Sequence, residues 1–162
     1  MIVILFGLSG AGKTYIGNII EKYFDFFHLD ADQLLTEDMN QYIRNGQILT
    51  TKMLKEFINI IIEKISILKK KHNKLVVSQG LYRSKYRKLI ENKFINHNIK
   101  FIQIIANDEI TKARIRNRNN YISEEYANQI MQYFEPMKNS NVISNNNVGD
   151  DVLIKEIKKI LI

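Results

Sequence analysis

Apolar residues follow two rhythms along this chain. Short, nearly continuous runs fall at 2–6, 26–29, 74–78, 101–105 and 141–144. Between them lie longer stretches where apolar residues recur every three or four positions. A short continuous run predicts a strand buried on both faces, and a 3–4 spacing predicts an amphipathic helix. Helices are expected over 12–23, 51–70, 84–92, 108–118, 123–134 and 150–162. The long one is plainest: Leu54, Phe57, Ile58, Ile61, Ile65 and Leu68 fall on one stripe. Thr50 or Thr51 is placed to cap it, and Ser123 to cap a later one. Residues 30–49 are polar and less regular. Strands alternating with helices predict a parallel sheet covered on both faces, with ligands at the carboxyl ends of the strands.

Composition narrows the picture. A length of 162 residues with one proline suits one domain without a linker, and 45% hydrophobic residues are enough for a core. With no cysteine, disulfides, thiolate zinc sites and cysteine nucleophiles are excluded. The run at 2–6 is too short, and lacks the preceding basic residue, for a signal-peptide core. No stretch approaches the roughly 18 apolar residues of a membrane span. The expectation is a cytoplasmic protein, monomer or homodimer, with no membrane partner. His28, His72 and His97 are scattered and make no metal-ligand spacing. The net charge of +7 favours anionic ligands. Its densest run, KKKHNK at 69–74, suits a helix end, where lysines complement the dipole. No aromatic residues interleave with it, so no nucleic-acid partner is expected.

The first run leads into Gly7-Leu8-Ser9-Gly10-Ala11-Gly12-Lys13-Thr14. This matches G-x-x-x-x-G-K-[ST], with a strand before it and a helix after it. Four fixed positions match a chain of this length by chance well under ~1 time in 100. The glycines let consecutive N–H groups turn inward onto phosphate oxygens, and the helix adds its positive end. Lys13 supplies a mobile charge for the outer phosphates, and Thr14 a hydroxyl for Mg²⁺. ATP is the expected ligand, with Tyr15 next to the loop.

The second run ends in Asp30-Ala31-Asp32. In a parallel sheet this end lies on the same edge as the phosphate loop. A carboxylate there can take a proton from an attacking hydroxyl or hold a metal-bound water. Asp32 is assigned as general base and acceptor-binding group, and Asp30 as the metal-side acid. Arginines at 114, 116 and 118 suit a lid that clamps phosphate, with Arg114 and Arg118 on one helix face. A second basic segment, Tyr82-Arg83-Ser84-Lys85-Tyr86-Arg87, follows the third strand to the same edge and suits an anionic or polyhydroxy acceptor.

Together, FGLSGAGKT, HLDAD, VVSQGLYRSKYRKLI and RNRNNYISEEYANQIMQYFEPM resemble the gluconokinase-like branch of the shikimate kinase and nucleoside monophosphate kinase group, from the loop to about Pro136. The resemblance implies a three-layer α/β/α fold, a five-stranded parallel sheet in order 2-3-1-4-5, and a lid at about 114–126. It implies ATP-dependent phosphorylation of a hydroxyl on a small acid such as a gluconate-like sugar acid. By the same resemblance Asp32 is the catalytic aspartate, Arg87 a substrate-side arginine, Arg114 an adenine-side arginine and Arg118 a lid arginine. Tyr121 is a candidate for the acceptor pocket. The chain departs from the family's acceptor elements at Leu34-Leu35-Thr36, at Met53-Leu54-Lys55-Glu56-Phe57 and at Asn120-Tyr121-Ile122. Arg44, Lys52, Arg83 and Lys85 are candidates for a replacement anion site. The loop sequence GLSGAGKT is also similar to that of adenylylsulfate kinases, which implies a nucleotide-derived acceptor as the alternative. A nucleotide-binding module without catalysis is the other.

Overall fold

The computed structural model describes residues 1–118 and 122–162. Strands β1 (Ile2–Phe6), β2 (Phe27–Asp30), β3 (Leu75–Ser78), β4 (Ile99–Ile105) and β5 (Asn141–Ser144) form one sheet in the order β2-β3-β1-β4-β5. Every pairing is parallel. This is the α/β order that the resemblance implied. All five residues of β1 are buried, which is why its sequence shows no polar alternation.

The helices are α1 (Lys13–Phe24), α2 (Glu37–Arg44), α3 (Thr51–Lys69), α4 (Ser84–Lys93), α5 (Asp108–Asn117), α6 (Glu124–Gln132) and α7 (Asp150–Leu161). Alternate residues of β1 feed two cores. Ile2, Ile4 and Phe6 pack with residues of α3, α4 and α6. Val3 and Leu5 pack with residues of α1 and α7 on the other face. The stripe on α3 is buried as its spacing required, apart from the half-buried Leu54. Thr50 caps that helix by accepting from Met53 N at 3.2 Å, and Ser123 caps α6 by accepting from Tyr126 N at 3.1 Å. Among the described residues, no helix is long and apolar enough to cross a membrane.

The polar stretch 30–49 is more regular than its composition suggests. A 3-10 turn, Ala31–Leu34, leads to α2. Thr36 caps α2, Glu37 and Asp38 occupy its first turn, and Met39 and Ile43 are its buried residues. Two inward residues four apart are enough once α3 supplies a surface to cover. The basic run at 69–74 closes helix ends. Lys69 Nζ donates to the carbonyls of His72 and Asn73, and Lys74 Nζ donates to Phe24 O in the last turn of α1.

Parallel register sets the active edge. Asp30 pairs with Ser78, and Ser78 with Leu5, so three strands finish in one row. The segments that follow them carry the glycine loop, the acid pair and Gln79.

Candidate active site

Residues 7–12 turn from β1 into α1. Gly10 and Gly12 hold φ of 79° and 92°, the left-handed region. A Cβ on Gly10 would stand 2.7 Å from Thr111 O, and one on Gly12 would strike the Asn145 carboxamide. The loop is thus pressed against its support, and only glycine fits. No side chain caps α1, and no acid sits in its first turn. Its first N–H groups are left for an anion. This glycine cradle, with Lys13 beside it, fits a nucleotide's phosphates.

Lys13 Nζ donates back to Leu8 O at 2.9 Å across the loop. Burial pushes its ammonium down to about 8; Asp32 opposes this, Arg118 adds to it and Asp30 opposes it. Thr14 Oγ1 donates to Asp30 Oδ2 at 2.9 Å, so the two predicted metal-side residues meet. Asp30 Oδ1 accepts from Asp32 N at 3.2 Å and fixes the turn that presents the second acid. Asp32 is open to cavity water, yet the protein around it raises its carboxyl above the usual range. Lys13, the Gln79 hydrogen bond and Arg118 pull the other way.

Gln79 is a site residue that the sequence did not reveal. Its Nε2 donates to Asp32 Oδ1 at 2.7 Å, and its Oε1 accepts from Leu81 N at 2.9 Å. Leu81 holds φ of 42°, a left-handed conformation that is costly for a leucine. Gln79 also donates its backbone N–H to Leu5 O, and Gly80 O accepts from Gly7 N, so this turn is tied to the phosphate loop.

Arg114 braces the same loop. Its Nη1 donates to Gly10 O and Ala11 O at 3.2 and 3.3 Å, and its Nη2 to Asn145 O and Asn147 Oδ1 at 3.0 and 2.9 Å. Asn145 is buried and donates to Ala11 O at 3.2 Å. It too lay hidden, inside an asparagine-rich stretch. Tyr15 OH donates to Asp150 Oδ1 at the start of α7, so it joins α1 to α7.

The basic residues expected on the acceptor side are placed elsewhere. Arg87 is buried, donates to Leu81 O at 2.6 Å and to Glu135 O, and lies 4.6 Å over the Phe6 ring. Its two terminal nitrogens hold the chain near Leu81 and Glu135, and its buried Nε has no hydrogen-bond partner among the described residues. The Glu135 carboxylate accepts from Ser84 N at the start of α4. Arg83 lies 4.7 Å over the Tyr133 ring, Lys85 lies 5.0 Å over the Tyr86 ring, and Arg44 pairs with Glu37 at 3.4 Å. None of these, nor Lys52, lines the cavity beside the loop. Tyr121 lies outside the described residues.

That cavity has a volume of about 230 Å³. Gly7, Ser9, Lys13, Asp32 and Gln79 form one end, and α2, α3, α4 and α6 supply most of the rest. The phosphate loop, a carboxylate and a lysine therefore share one half-open space. Such a space can take a terminal phosphate at one end and a small molecule at the other.

The shikimate kinase family model matches residues 9–159. A Dictyostelium discoideum protein named "probable gluconokinase" is 29% identical over 125 residues, which is 75% of this chain and 62% of that protein. The match thus spans less than two thirds of the curated relative. A sugar kinase from Janibacter sp. HTCC2649 superposes with a TM-score of 0.84 at 16% identity, over 99% of this chain and 93% of that one. A gluconokinase from Sinorhizobium meliloti 1021 superposes at 0.79 with 15% identity, over 95% and 87%. At these identities the solved structures speak for the fold.

Proposed function

Because the chain belongs to the shikimate kinase family, ATP-dependent phosphotransferases that act on a hydroxyl, we propose that it transfers the γ-phosphoryl of Mg-ATP to a hydroxyl of a small molecule in the cavity. The whole chain is taken as one kinase domain, with residues 114–126 as its lid and the cytoplasm, where ATP is supplied, as its place of action. The observation that carries the reading is that Lys13, Asp32 and the glycine loop line one cavity.

Bound Mg-ATP supplies an electrophilic phosphorus whose negative oxygens the metal partly neutralises. Thr14 and Asp30, an all-oxygen pair 2.9 Å apart at the mouth of the loop, would hold the magnesium or its waters. The loop N–H groups and Lys13 grip the phosphates. Asp32, fixed through Oδ1 by Gln79, has its second oxygen for the acceptor. It takes the hydroxyl proton as the acceptor oxygen–phosphorus bond forms and the bond between that phosphorus and the β–γ bridging oxygen breaks. Arg118, whose charge acts on both Lys13 and Asp32, offsets the negative charge spread over the transferring group.

The name of the Dictyostelium relative makes a gluconate-like sugar acid one acceptor class to test. A screen for ADP release against sugar acids, polyols, nucleotides and simple alcohols tests the reading. Acceptor-dependent release that is lost in Lys13→Ala and Asp32→Asn is the expected result. Nucleotide binding without any acceptor-dependent product would favour a non-catalytic module.

A further inference from the structure

The cavity has a strongly divided chemistry. Its charged lining groups among the described residues are Lys13 and Asp32, both at the phosphate-loop end. Away from that end, α3 presents Leu54, Phe57 and Ile58, and the facing elements add Tyr82, Tyr86 and Tyr126. Phe57 and Ile58 are 4% and 2% exposed, so they belong to the packed core as well as to the cavity wall. Among the described lining residues no cation stands away from the loop end, and Arg44, Arg83 and Arg87 make the contacts described above. A carboxylate brought into this end would lose its water and meet no charged partner among the described lining residues. A polyol would have the tyrosine hydroxyls to meet some of its own and would bury the rest against the side chains of α3.

We propose that the acceptor is an uncharged alcohol with a compact, mainly apolar body. Its hydroxyl lies at Asp32 and its body against the α3 wall. The assignment of the hydroxyl end rests on the kinase reading; the apolar end rests on the cavity alone. The whole cavity is about 230 Å³ and its loop end takes the terminal phosphate, so the body is small, of the order of the benzene that an apolar cavity of roughly 150 Å³ takes up.

The test is a matched pair of probes on the full chain. Benzyl alcohol and 4-(hydroxymethyl)benzoate share a shape and differ by one carboxylate; cyclohexylmethanol and gluconate extend the comparison. Ligand-observed NMR titration gives each affinity with and without a non-hydrolysable ATP analogue, and ³¹P NMR follows product with Mg-ATP. The proposal expects both neutral alcohols to bind at least about tenfold tighter than either acid. Leu54→Ala should weaken neutral binding roughly tenfold, as expected for lost aliphatic contact, with nucleotide affinity unchanged. Leu54 is half-buried in the first turn of α3, so Leu54→Arg, checked for folding by its thermal melt, should move the preference toward the carboxylate. Equal or tighter binding of the acids, or no binding of either neutral alcohol, overturns the proposal. Neutral binding without phosphorylated product leaves the apolar acceptor site standing and sinks the kinase reading instead.

Discussion

Replacing Gln79 with leucine removes the amide that donates to Asp32 Oδ1 at 2.7 Å, while keeping most of the side chain's volume. That hydrogen bond favours the ionised carboxylate, against the burial that raises it. A hydrogen bond to a charged group contributes about 1.5–3 kcal/mol. Asp32 is open to cavity water, so the lower end applies. The loss therefore raises the Asp32 carboxyl further. Transfer needs Asp32 deprotonated, so activity rises with pH through its pKa. The acid limb of the kcat/KM profile should therefore move to higher pH in Gln79→Leu. Gln79→Glu, which sets a second acid against Asp32, should move it further the same way. The assay is steady-state ADP release between pH 4.5 and 8 at saturating Mg-ATP, with a thermal melt at each pH. An acid limb that stays in place, or moves down, refutes the role given to Gln79.

Other consequences follow from the same geometry. Lys13 loses its proton near pH 8 in the free protein, so ATP affinity should fall as pH rises above about 8, with proton uptake on binding visible by calorimetry in buffers of different ionisation heat. Asn145→Ala removes a buried amide bonded to Ala11 O and should cost about 1–3 kcal/mol in urea denaturation, together with weaker nucleotide binding. Arg87→Met strips the donors from Leu81 O and Glu135 O and should cost about 2–4 kcal/mol of stability; unchanged stability with a raised acceptor KM would instead give Arg87 a direct role at the acceptor.

The sequence disclosed the fold and the phosphate end far better than the acceptor end. β1 and the glycine loop were legible because their constraints are local: a strand buried on both faces must be continuously apolar, and a left-handed turn pressed on its neighbours must be glycine. Asp30 and Asp32 were legible because parallel strands finish on one edge. Helix α2 was obscured because only Met39 and Ile43 of its eight residues are buried, too few for a period to show. Arg83 and Arg87 lie off the cavity because a strand end fixes a residue's neighbourhood but not its direction; α4 carries Arg87 back under Leu81. Gln79 carries no charge and belongs to no familiar spacing, so only its contacts reveal it. The positions where the chain departs from gluconate-kinase-like acceptor elements include Leu35, Leu54 and Phe57, and these three line the cavity. The sequence marked where the acceptor site changed, and the assembled wall shows its apolar character.

The central claim is that Asp32 takes the acceptor's proton beside a phosphate tail held by the loop. Asp32→Asn keeps the shape of the side chain and removes its basicity. With an acceptor from the screen, its kcat should fall by roughly 10²- to 10⁴-fold, while the affinity for Mg-ATP, measured by calorimetry, stays within about threefold of the unmodified chain. Retained kcat in Asp32→Asn, with ATP bound normally, would contradict the account.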